Sequence, residues 1–160
     1  FVKTFILGVK IENYTLKVKE FSKFSNFKHF IHNYVKEYDQ DGYIFMPETS
    51  KIQIGTHNTL YKWKNNLDNT VDFLITPKGI LYLINSNELC KTRNKLTFIP
   101  DYIKNSTHNQ VVECKCNDIQ SKTWIPIGPR SDKKDPNSQY VFKKTMINIK
   151  ENISIDEFFF

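Results

Sequence analysis

Two short basic segments offer the chemistry needed to hold a polyphosphate, because a row of phosphates is gripped best at two places. In the first segment, two lysines flank a tryptophan. On a strand, this spacing sends both ammonium groups to one face and the indole to the other. In the second segment, two cations flank one acid. A nucleotide-handling site is therefore the first hypothesis from Lys62-Trp63-Lys64 and Arg130-Ser131-Asp132-Lys133.

Two carboxylates lie near these lysines in the sequence. Asp41 precedes Gly42 and an apolar run, where it could hold a divalent metal on a phosphate or orient a lysine. Asp72 lies inside another apolar run and could offset the charge of Lys62 and Lys64 or reach the ligand. The alternatives are ordinary Asp-Gly turn chemistry and a strand face of solvated lysine tails.

The second segment combines groups suited to terminal phosphates. Arg130 and Lys133 can clamp them by fork and point-charge contacts, and Asp132 can fix the arginine or steer the leaving group. Among 23 lysines and arginines, only Arg93 and Arg130 are arginines. An arginine kept at position 130 suggests that its planar fork is needed. The alternative is a charged turn.

Composition limits the classes of partner and compartment. The formal charge of +6 and the pI near 9.1 suit an anionic partner. Cys90, Cys114 and Cys116 lack the spacing of a zinc knuckle, which predicts reduced thiols in an intracellular, reducing compartment. No apolar run is long enough to span a membrane. The start without methionine predicts a piece of a longer polypeptide.

Periodicity predicts an α+β chain that positions these residues. Aromatic residues recur every three or four positions between 21 and 38, the period of an amphipathic helix. A second helix is predicted over 139–152, with Ser138 or Asn137 as its cap. A hairpin or two adjacent strands are predicted over 4–19, and a loop over 91–95. Further strands are predicted at 43–46, 51–54, 60–64, 70–75, 80–84, 96–99, 111–116 and 123–127.

These residues resemble the messenger RNA capping guanylyltransferases, which share the covalent nucleotidyltransferase superfamily with ATP-dependent polynucleotide ligases. The resemblance runs from about Val18 to the C-terminus. Lys-Trp-Lys combined with Asn-Thr-Val-Asp-Phe favours capping enzymes over ligases, and the tail is similar to the multifunctional capping enzymes of large DNA viruses. The most specific matches are Asp41-Gly42-Tyr43-Ile44-Phe45, Leu60-Tyr61-Lys62-Trp63-Lys64, Asn69-Thr70-Val71-Asp72-Phe73, Val112-Glu113-Cys114, Trp124 and Arg130-Ser131-Asp132-Lys133.

The resemblance implies a fold of two lobes. Residues 1–75 would form the distal part of a nucleotidyltransferase lobe, with an antiparallel sheet and a helix. Residues 76–137 would form an OB-fold β-barrel, and residues 138–160 a C-terminal helical tail that packs back near the hinge. In this family the cleft between the lobes closes on the nucleotide.

The resemblance also implies a reaction, which transfers GMP from GTP to the 5'-diphosphate end of RNA through a lysyl-GMP intermediate, with Mg2+ or Mn2+. The partners would be GTP, 5'-diphosphate RNA and the remainder of the capping enzyme, including its N-terminal nucleotidyltransferase half. The family's nucleophile lies in a Lys-x-Asp-Gly motif, which does not occur in this sequence. This chain by itself is therefore predicted to be inactive.

Residue by residue, the resemblance assigns roles to both basic segments. Asp41 would lie near the metal and the attacking lysine, while Lys62 and Lys64 would neutralise the α-phosphate. Asp72 would belong to the same floor of the site. The second segment would arrive with the OB lobe and orient the β- and γ-phosphates through Arg130, Asp132 and Lys133.

Two other functions are open on the sequence. The chain could be a noncatalytic OB-type module or subunit whose basic strands follow a nucleic-acid backbone. It could also be a fragment of an ATP-dependent polynucleotide ligase, because the preference for GTP rests on the resemblance alone. If the chain is viral, the host cytoplasm or the virion is the expected location.

Overall fold

The computed structural model describes residues 10–11, 14–15, 20–34, 40–51, 53–55 and 57–159. Contacts divide the chain into two compact units, Phe1–Gln40 and Asp41–Phe160. Within the described ranges, no helix combines the length and the apolar character that a membrane span requires. Every residue expected to touch a nucleotide belongs to the second unit.

The described residues of the first unit include a short ladder and a helix. β1 (Lys10–Ile11) pairs antiparallel with β2 (Tyr14–Thr15), as the predicted hairpin requires, and the rest of that hairpin lies outside the described residues. A 3-10 turn at Phe24–Asn26 leads into α1 (Phe27–Asn33), while Lys23 is still extended. The helix predicted from position 21 therefore begins later, and the Ser22 hydroxyl donates instead to the carbonyl oxygen of Lys23 at 3.2 Å, a local bond that competes with helical ones. Positions 35–39 lie outside the described residues.

The second unit is built on a sheet of six strands. They are β5 (Thr70–Ile75), β6 (Leu81–Asn85), β7 (Glu88–Lys91), β8 (Lys95–Leu96), β9 (Gln110–Asp118) and β10 (Thr123–Pro129). Their order in the sheet is β7-β6-β5-β9-β10-β8. Neighbouring strands are antiparallel, except β10 and β8, which are parallel. A short helix, α2 (Asp101–Lys104), and a longer one, α3 (Gln139–Glu151), belong to this unit.

One face of this sheet forms the core, because side chains alternate between faces along β5. Val71, Phe73 and Ile75 are fully buried on the core face, whereas Asp72 between them belongs to the opposite face. The rings of Phe73 and Trp124 meet edge to face, with 5.1 Å between their centroids. Helix α3 covers the core through Phe142, Met146 and Ile149.

A separate ladder of two strands precedes the sheet in the chain. β3 (Gly42–Phe45) pairs antiparallel with β4 (Tyr61–Lys64). Gly42 has a φ of 149° and lies opposite Lys64, where an added Cβ would be 2.0 Å from the carbonyl oxygen of Trp63. Only glycine therefore allows the two strands to approach this closely beside Asp41.

The end of α3 and the residues after it tie this ladder to the helix. Asn66, in the connection from β4 to β5, donates through Nδ2 to the carbonyl oxygen of Ile149 at 3.2 Å and to Oδ1 of Asn152 at 2.7 Å. The ring of Phe158 stacks on that of Phe45 at 5.2 Å. The predicted helical tail thus packs back onto the segment between the ladder and the sheet.

The α+β class with a mainly sheet core is confirmed. The described strands do not pair β7 with β8, so a closed barrel stays a prediction. The boundary predicted between 75 and 76 falls between β5 and β6, which are paired neighbours, and the division into 1–75, 76–137 and 138–160 also stays a prediction. Helix α3 begins as predicted, and Ser138 is its cap, accepting the N–H of Val141 through Oγ at 3.2 Å.

Several details differ from the sequence-based assignment. The strand predicted at 96–99 is limited to Lys95–Leu96 in β8, and Lys91 and Lys95 at the ends of the predicted loop belong to β7 and β8. The strand predicted at 51–54 is absent from the described residues there, where Gly55 has a φ of 91° and the chain bends. Neither β7 nor α2 is predicted by the periodicity of the sequence. A tight turn leads into β7, because Ser86 and Asn87 have φ of 50° and 66°, the conformation of a two-residue hairpin turn.

Candidate functional site

A first group of charges, the lysine cluster, consists of Asp41, Lys62 and Lys64. The Nζ atom of Lys64 lies 2.9 Å from Oδ2 of Asp41, and the Nζ atom of Lys62 lies 3.7 Å from the same oxygen. The hydrogen bond from Lys64 is the main cause that lowers the pKa of the Asp41 carboxyl below its ordinary value. The cluster is open to water, since the Asp41 side chain is 68% exposed.

Strand alternation puts both ammonium groups on one face of β4, as predicted. The intervening Trp63 uses the other face, where its ring stacks on Tyr43 at 6.0 Å and its Nε1 donates to the carbonyl oxygen of Ile153 at 3.0 Å. Trp63 is only partly buried and does not belong to the core of the sheet. The tail after α3 supplies its hydrogen bond.

A cleft of about 480 Å³ adjoins the lysine cluster. Amide, carboxylate and ammonium groups line it together with aromatic rings. The lining residues are Phe45, Tyr61, Lys62, Trp63, Lys64, Asn66, Asn69, Asn148, Glu151, Ile153 and Phe158.

A second group, the arginine cluster, consists of Asp72, Arg130, Asp132 and Lys133. Asp72 is buried, with 4% of its surface exposed. Its Oδ2 accepts a hydrogen bond from Nζ of Lys133, and its Oδ1 lies 3.3 Å from Nη1 of Arg130. The carboxylate is therefore shared by two cations, which offsets the cost of removing it from water.

A bidentate pair fixes the plane of the guanidinium. The Nε and Nη2 atoms of Arg130 donate to the two oxygens of Asp132 at 2.9 and 2.8 Å. This contact lowers the pKa of Asp132 to about 2 and raises that of Arg130. Because Asp132 binds two nitrogens of the Arg130 guanidinium, this group has little rotational freedom.

The sheet brings the members of the arginine cluster to one face. Asp72 lies directly opposite Glu113 on β9, and Arg130 follows β10 with its N–H donating to the carbonyl oxygen of Val111 at 2.8 Å. Glu113 is 4.0 Å from Arg130 through Oε2, and its Oε1 accepts a hydrogen bond from the Thr70 hydroxyl at 2.6 Å. Two neighbouring strands thus supply the acids and the end of a third supplies the arginine.

Two roles are predicted for Asp72, to offset the charge of Lys62 and Lys64 or to reach the ligand, and the contacts do not support the first. Among the described residues, the ion pairs of Asp72 are with Arg130 and Lys133. The reason is the pairing of β5 with β9, which puts Asp72 next to the strand that leads, through β10, to Arg130. Within the described part of the chain, the ion pairs of the two clusters share no residue.

Two residues at the arginine cluster have no predicted role there. Glu113 contributes an acid beside Arg130, and its sequence signal is a charged residue alternating with apolar ones inside a strand. Asn137 bonds to the backbone of Asp72, whereas the sequence offers it only as a possible helix cap. No local pattern in the sequence indicates that contact.

The described side chains do not fit a preformed metal site. No group of three His, Cys, Asp or Glu side chains converges within those ranges. Asp41, the predicted metal residue, shares its exposed carboxylate with two ammonium groups, which repel a divalent cation. Asp41 alone therefore does not provide the oxygen ligands that such a cation takes from a protein.

Comparison with known proteins identifies the family. The model of the family described as "mRNA capping enzyme, C-terminal domain" matches residues 9–159. An mRNA-capping enzyme of Caenorhabditis elegans is 28% identical over 126 residues, which cover 68% of this chain and 19% of that enzyme. The chain thus spans about a fifth of the length of this relative. Because the family model covers most of the sequence and includes both clusters, the chain belongs to the family of mRNA capping enzyme C-terminal domains.

Proposed function

We propose that this chain is the C-terminal part of an mRNA guanylyltransferase, which transfers GMP from GTP to the 5'-diphosphate end of RNA through a lysyl-GMP intermediate. Membership of the capping family supports a role in mRNA capping. The observation that carries the finer proposal is the convergence of Lys62 and Lys64 on a single carboxylate oxygen beside a cleft. Two ammonium groups that share one anionic oxygen can share a phosphate oxygen in the same way.

In this proposal the lysine cluster neutralises the α-phosphate. Asp41 is an exposed anion, so exchanging it for a phosphate costs little, because exposed ion pairs contribute at most about 1 kcal/mol. The α-phosphorus gains negative charge on its oxygens as the nucleophile attacks, and fixed cations stabilise that charge. Lys62 and Lys64 act in this way without moving a proton.

The arginine cluster orients the β- and γ-phosphates. Arg130 donates through Nε and Nη2 to Asp132 and through Nη1 to both oxygens of Asp72, which leaves one N–H on Nη2 for a phosphate. Lys133 donates to Asp72 and has further N–H groups available. Asp72 thus forms the floor of this cluster, and Asp132 fixes the guanidinium plane. An OB-type barrel that closes over the nucleotide is part of the proposal.

The nucleophile is assigned to the remainder of the enzyme, because Lys-x-Asp-Gly does not occur in this sequence. A requirement for Mg2+ or Mn2+ stays a prediction for the whole enzyme, and no step here depends on Asp41 as a metal ligand. Similarity to viral capping enzymes and a reducing intracellular location also stay predictions. The three cysteines are free, and burial raises the pKa of Cys114 to about 12.

The test uses the full-length enzyme that contains this chain and GTP labelled at the α-phosphate. We expect a covalent enzyme-GMP adduct with GTP and not with ATP. Lys64→Ala should slow adduct formation about 100-fold, the usual loss when one fixed donor to a transition-state charge is removed. Lys78→Ala is the matched control, since Lys78 is an exposed lysine in a turn and should leave the rate unchanged.

The alternatives give different results. An adduct with ATP instead of GTP would indicate a ligase, and RNA binding without any adduct would indicate a noncatalytic module. An adduct on this chain alone would contradict the assignment of the nucleophile to another part of the enzyme.

A further inference from the structure

Asn137 bonds to both the N–H and the carbonyl oxygen of Asp72. The N–H of Asp72 donates to Oδ1 of Asn137 at 2.8 Å, and the N–H of Asn137 donates to the carbonyl oxygen of Asp72 at 2.8 Å. The carbonyl oxygen of Asn137 also accepts the N–H of Ile84 on β6 at 3.1 Å. One residue therefore bonds to two strands of the sheet.

This contact fills a gap between β5 and β6. The two strands pair at Leu74 with Tyr82 and at Ile75 with Leu81. At Asp72 the bonds that β6 would otherwise provide come from Asn137. A strand residue at this depth needs partners for both its N–H and its C=O, since an unpaired buried backbone group is costly. Asn137 thus takes the place of a strand at that position.

The segment that carries the cations is consequently fixed at both ends. At its start, Arg130 is bonded to Val111, and the N–H of Lys133 closes a turn on the carbonyl oxygen of Arg130 at 3.0 Å. At its end, Pro136 is buried and Asn137 is bonded to Asp72. The carboxylate of Asp72 binds Arg130 and Lys133. Asp72 therefore contacts this segment twice, through its backbone at Asn137 and through its side chain at the two cations.

We propose that Asn137 is a positioning residue, which sets the place where Arg130 and Lys133 present their free N–H groups to the phosphates of the nucleotide. The inference rests on the proposed function. Asn137 acts through the loop and does not touch the nucleotide. Its side-chain oxygen holds the end of the loop at a fixed distance from Asp72, and a shift of about 1 Å in such a group can cost roughly 100-fold in rate.

The proposal separates the two steps of the reaction. In the first step, the neutral lysine nitrogen bonds to the α-phosphorus and gives a proton to water, while the bond to the β-phosphate oxygen breaks and pyrophosphate leaves. In the second step, an oxygen of the RNA diphosphate bonds to the same phosphorus, the phosphorus–nitrogen bond breaks, and the lysine nitrogen takes a proton back from water. The β- and γ-phosphates of GTP are present only in the first step, so a misplaced arginine cluster should slow that step selectively.

The experiment compares both steps in the full-length enzyme with Asn137→Ala, Asn137→Asp and the control Asn117→Ala. Asn137→Ala should slow adduct formation at saturating GTP about tenfold, as expected for the loss of a fixed hydrogen bond. Its transfer of GMP to RNA, measured on isolated adduct, should match the wild type. Asn137→Asp keeps the acceptor oxygen and should recover most of the first step. The exposed Asn117 donates to the Thr123 hydroxyl, and its loss should change neither step.

Equal losses in both steps, or no loss in the first, would overturn the inference and leave a structural role or none. Should Asn137→Ala not accumulate as folded protein, Asn137→Ser is measured in its place, because its hydroxyl is too short to reach the Asp72 N–H. A wild-type enzyme without a GMP adduct would overturn the proposed function and this inference with it. A normal wild-type adduct with an unaffected Asn137→Ala would overturn the inference alone.

Discussion

The lysine cluster lies on a ladder of two short strands, whereas the arginine cluster lies on a sheet of six. Both clusters pair two cations with one central carboxylate, but the side chain of Asp41 is 68% exposed and that of Asp72 only 6%. Water screens the first carboxylate and is excluded from the second. Similar charges therefore have different consequences for stability in the two places.

This difference suits the two proposed roles. A cluster in water can exchange Asp41 for a phosphate and recover the charge pairing at little cost. A cluster with a buried carboxylate cannot give up Asp72, so Arg130 and Lys133 keep their places and use only their spare N–H groups. The first cluster is suited to neutralising charge, and the second to fixing geometry.

The comparison predicts its largest effect for removal of the two carboxylates. Asp72→Asn should lower the free energy of unfolding by about 2 kcal/mol, because two cations then lose their shared partner in a partly buried place. The loss is smaller than for a fully buried pair, since Arg130 and Lys133 are 27% and 37% exposed and can turn towards water. Asp41→Asn should change the free energy of unfolding by less than about 0.5 kcal/mol.

Urea unfolding of the full-length enzyme variants measures both changes, and an unaltered slope against urea shows that the denatured state is the same. Equal losses for the two variants would contradict the contrast in burial. A larger loss for Asp41→Asn would reverse the comparison.

Much of the local structure could be predicted from the sequence, because alternation is a local property. The shared face of Lys62 and Lys64 follows from the period of two in a strand, and the Asp41-Gly42 pair signals close backbone contact. The helix α3 follows from its spacing and its cap. What joins these pieces depends on contacts between residues far apart in the chain.

The pairing of β5 is the main example of what could not be predicted. Alternation in residues 70–75 indicates a strand with one buried face but says nothing about its neighbours. Because β5 pairs with both β6 and β9, Asp72 joins Arg130 and not Lys64. The role of Asn137 was hidden for the same reason, since Ser138 beside it takes the cap and leaves Asn137 for the sheet.

A smaller effect is expected from salt. A double-mutant cycle for Lys64 and Asp41 should give a coupling energy of about 0.5 kcal/mol at low salt, which falls towards zero at high salt because exposed charges are screened. The cycle for Lys133 and Asp72 should give a larger coupling energy that changes less with salt, because Asp72 is buried. Urea unfolding at two salt concentrations measures both coupling energies. If the two coupling energies fell equally with salt, the difference in burial between the clusters would be contradicted.

The smallest effect concerns two exposed carboxyls whose pKa values depend on different cations. The pKa of Asp132 lies at about 2, lowered mainly by Arg130, and that of Asp41 is lowered mainly by Lys64. A carboxyl whose pKa is lowered in the folded state stabilises that state above the unfolded pKa of 3.8, and this stabilisation is lost as pH falls towards about 2.

Carboxyl chemical shifts followed by NMR should show Asp132 titrating near pH 2. Arg130→Lys should raise the pKa of Asp132 and leave that of Asp41 unchanged, and Lys64→Gln should do the reverse. If either substitution moved both pKa values, the two clusters would be electrostatically coupled and the comparison would fail.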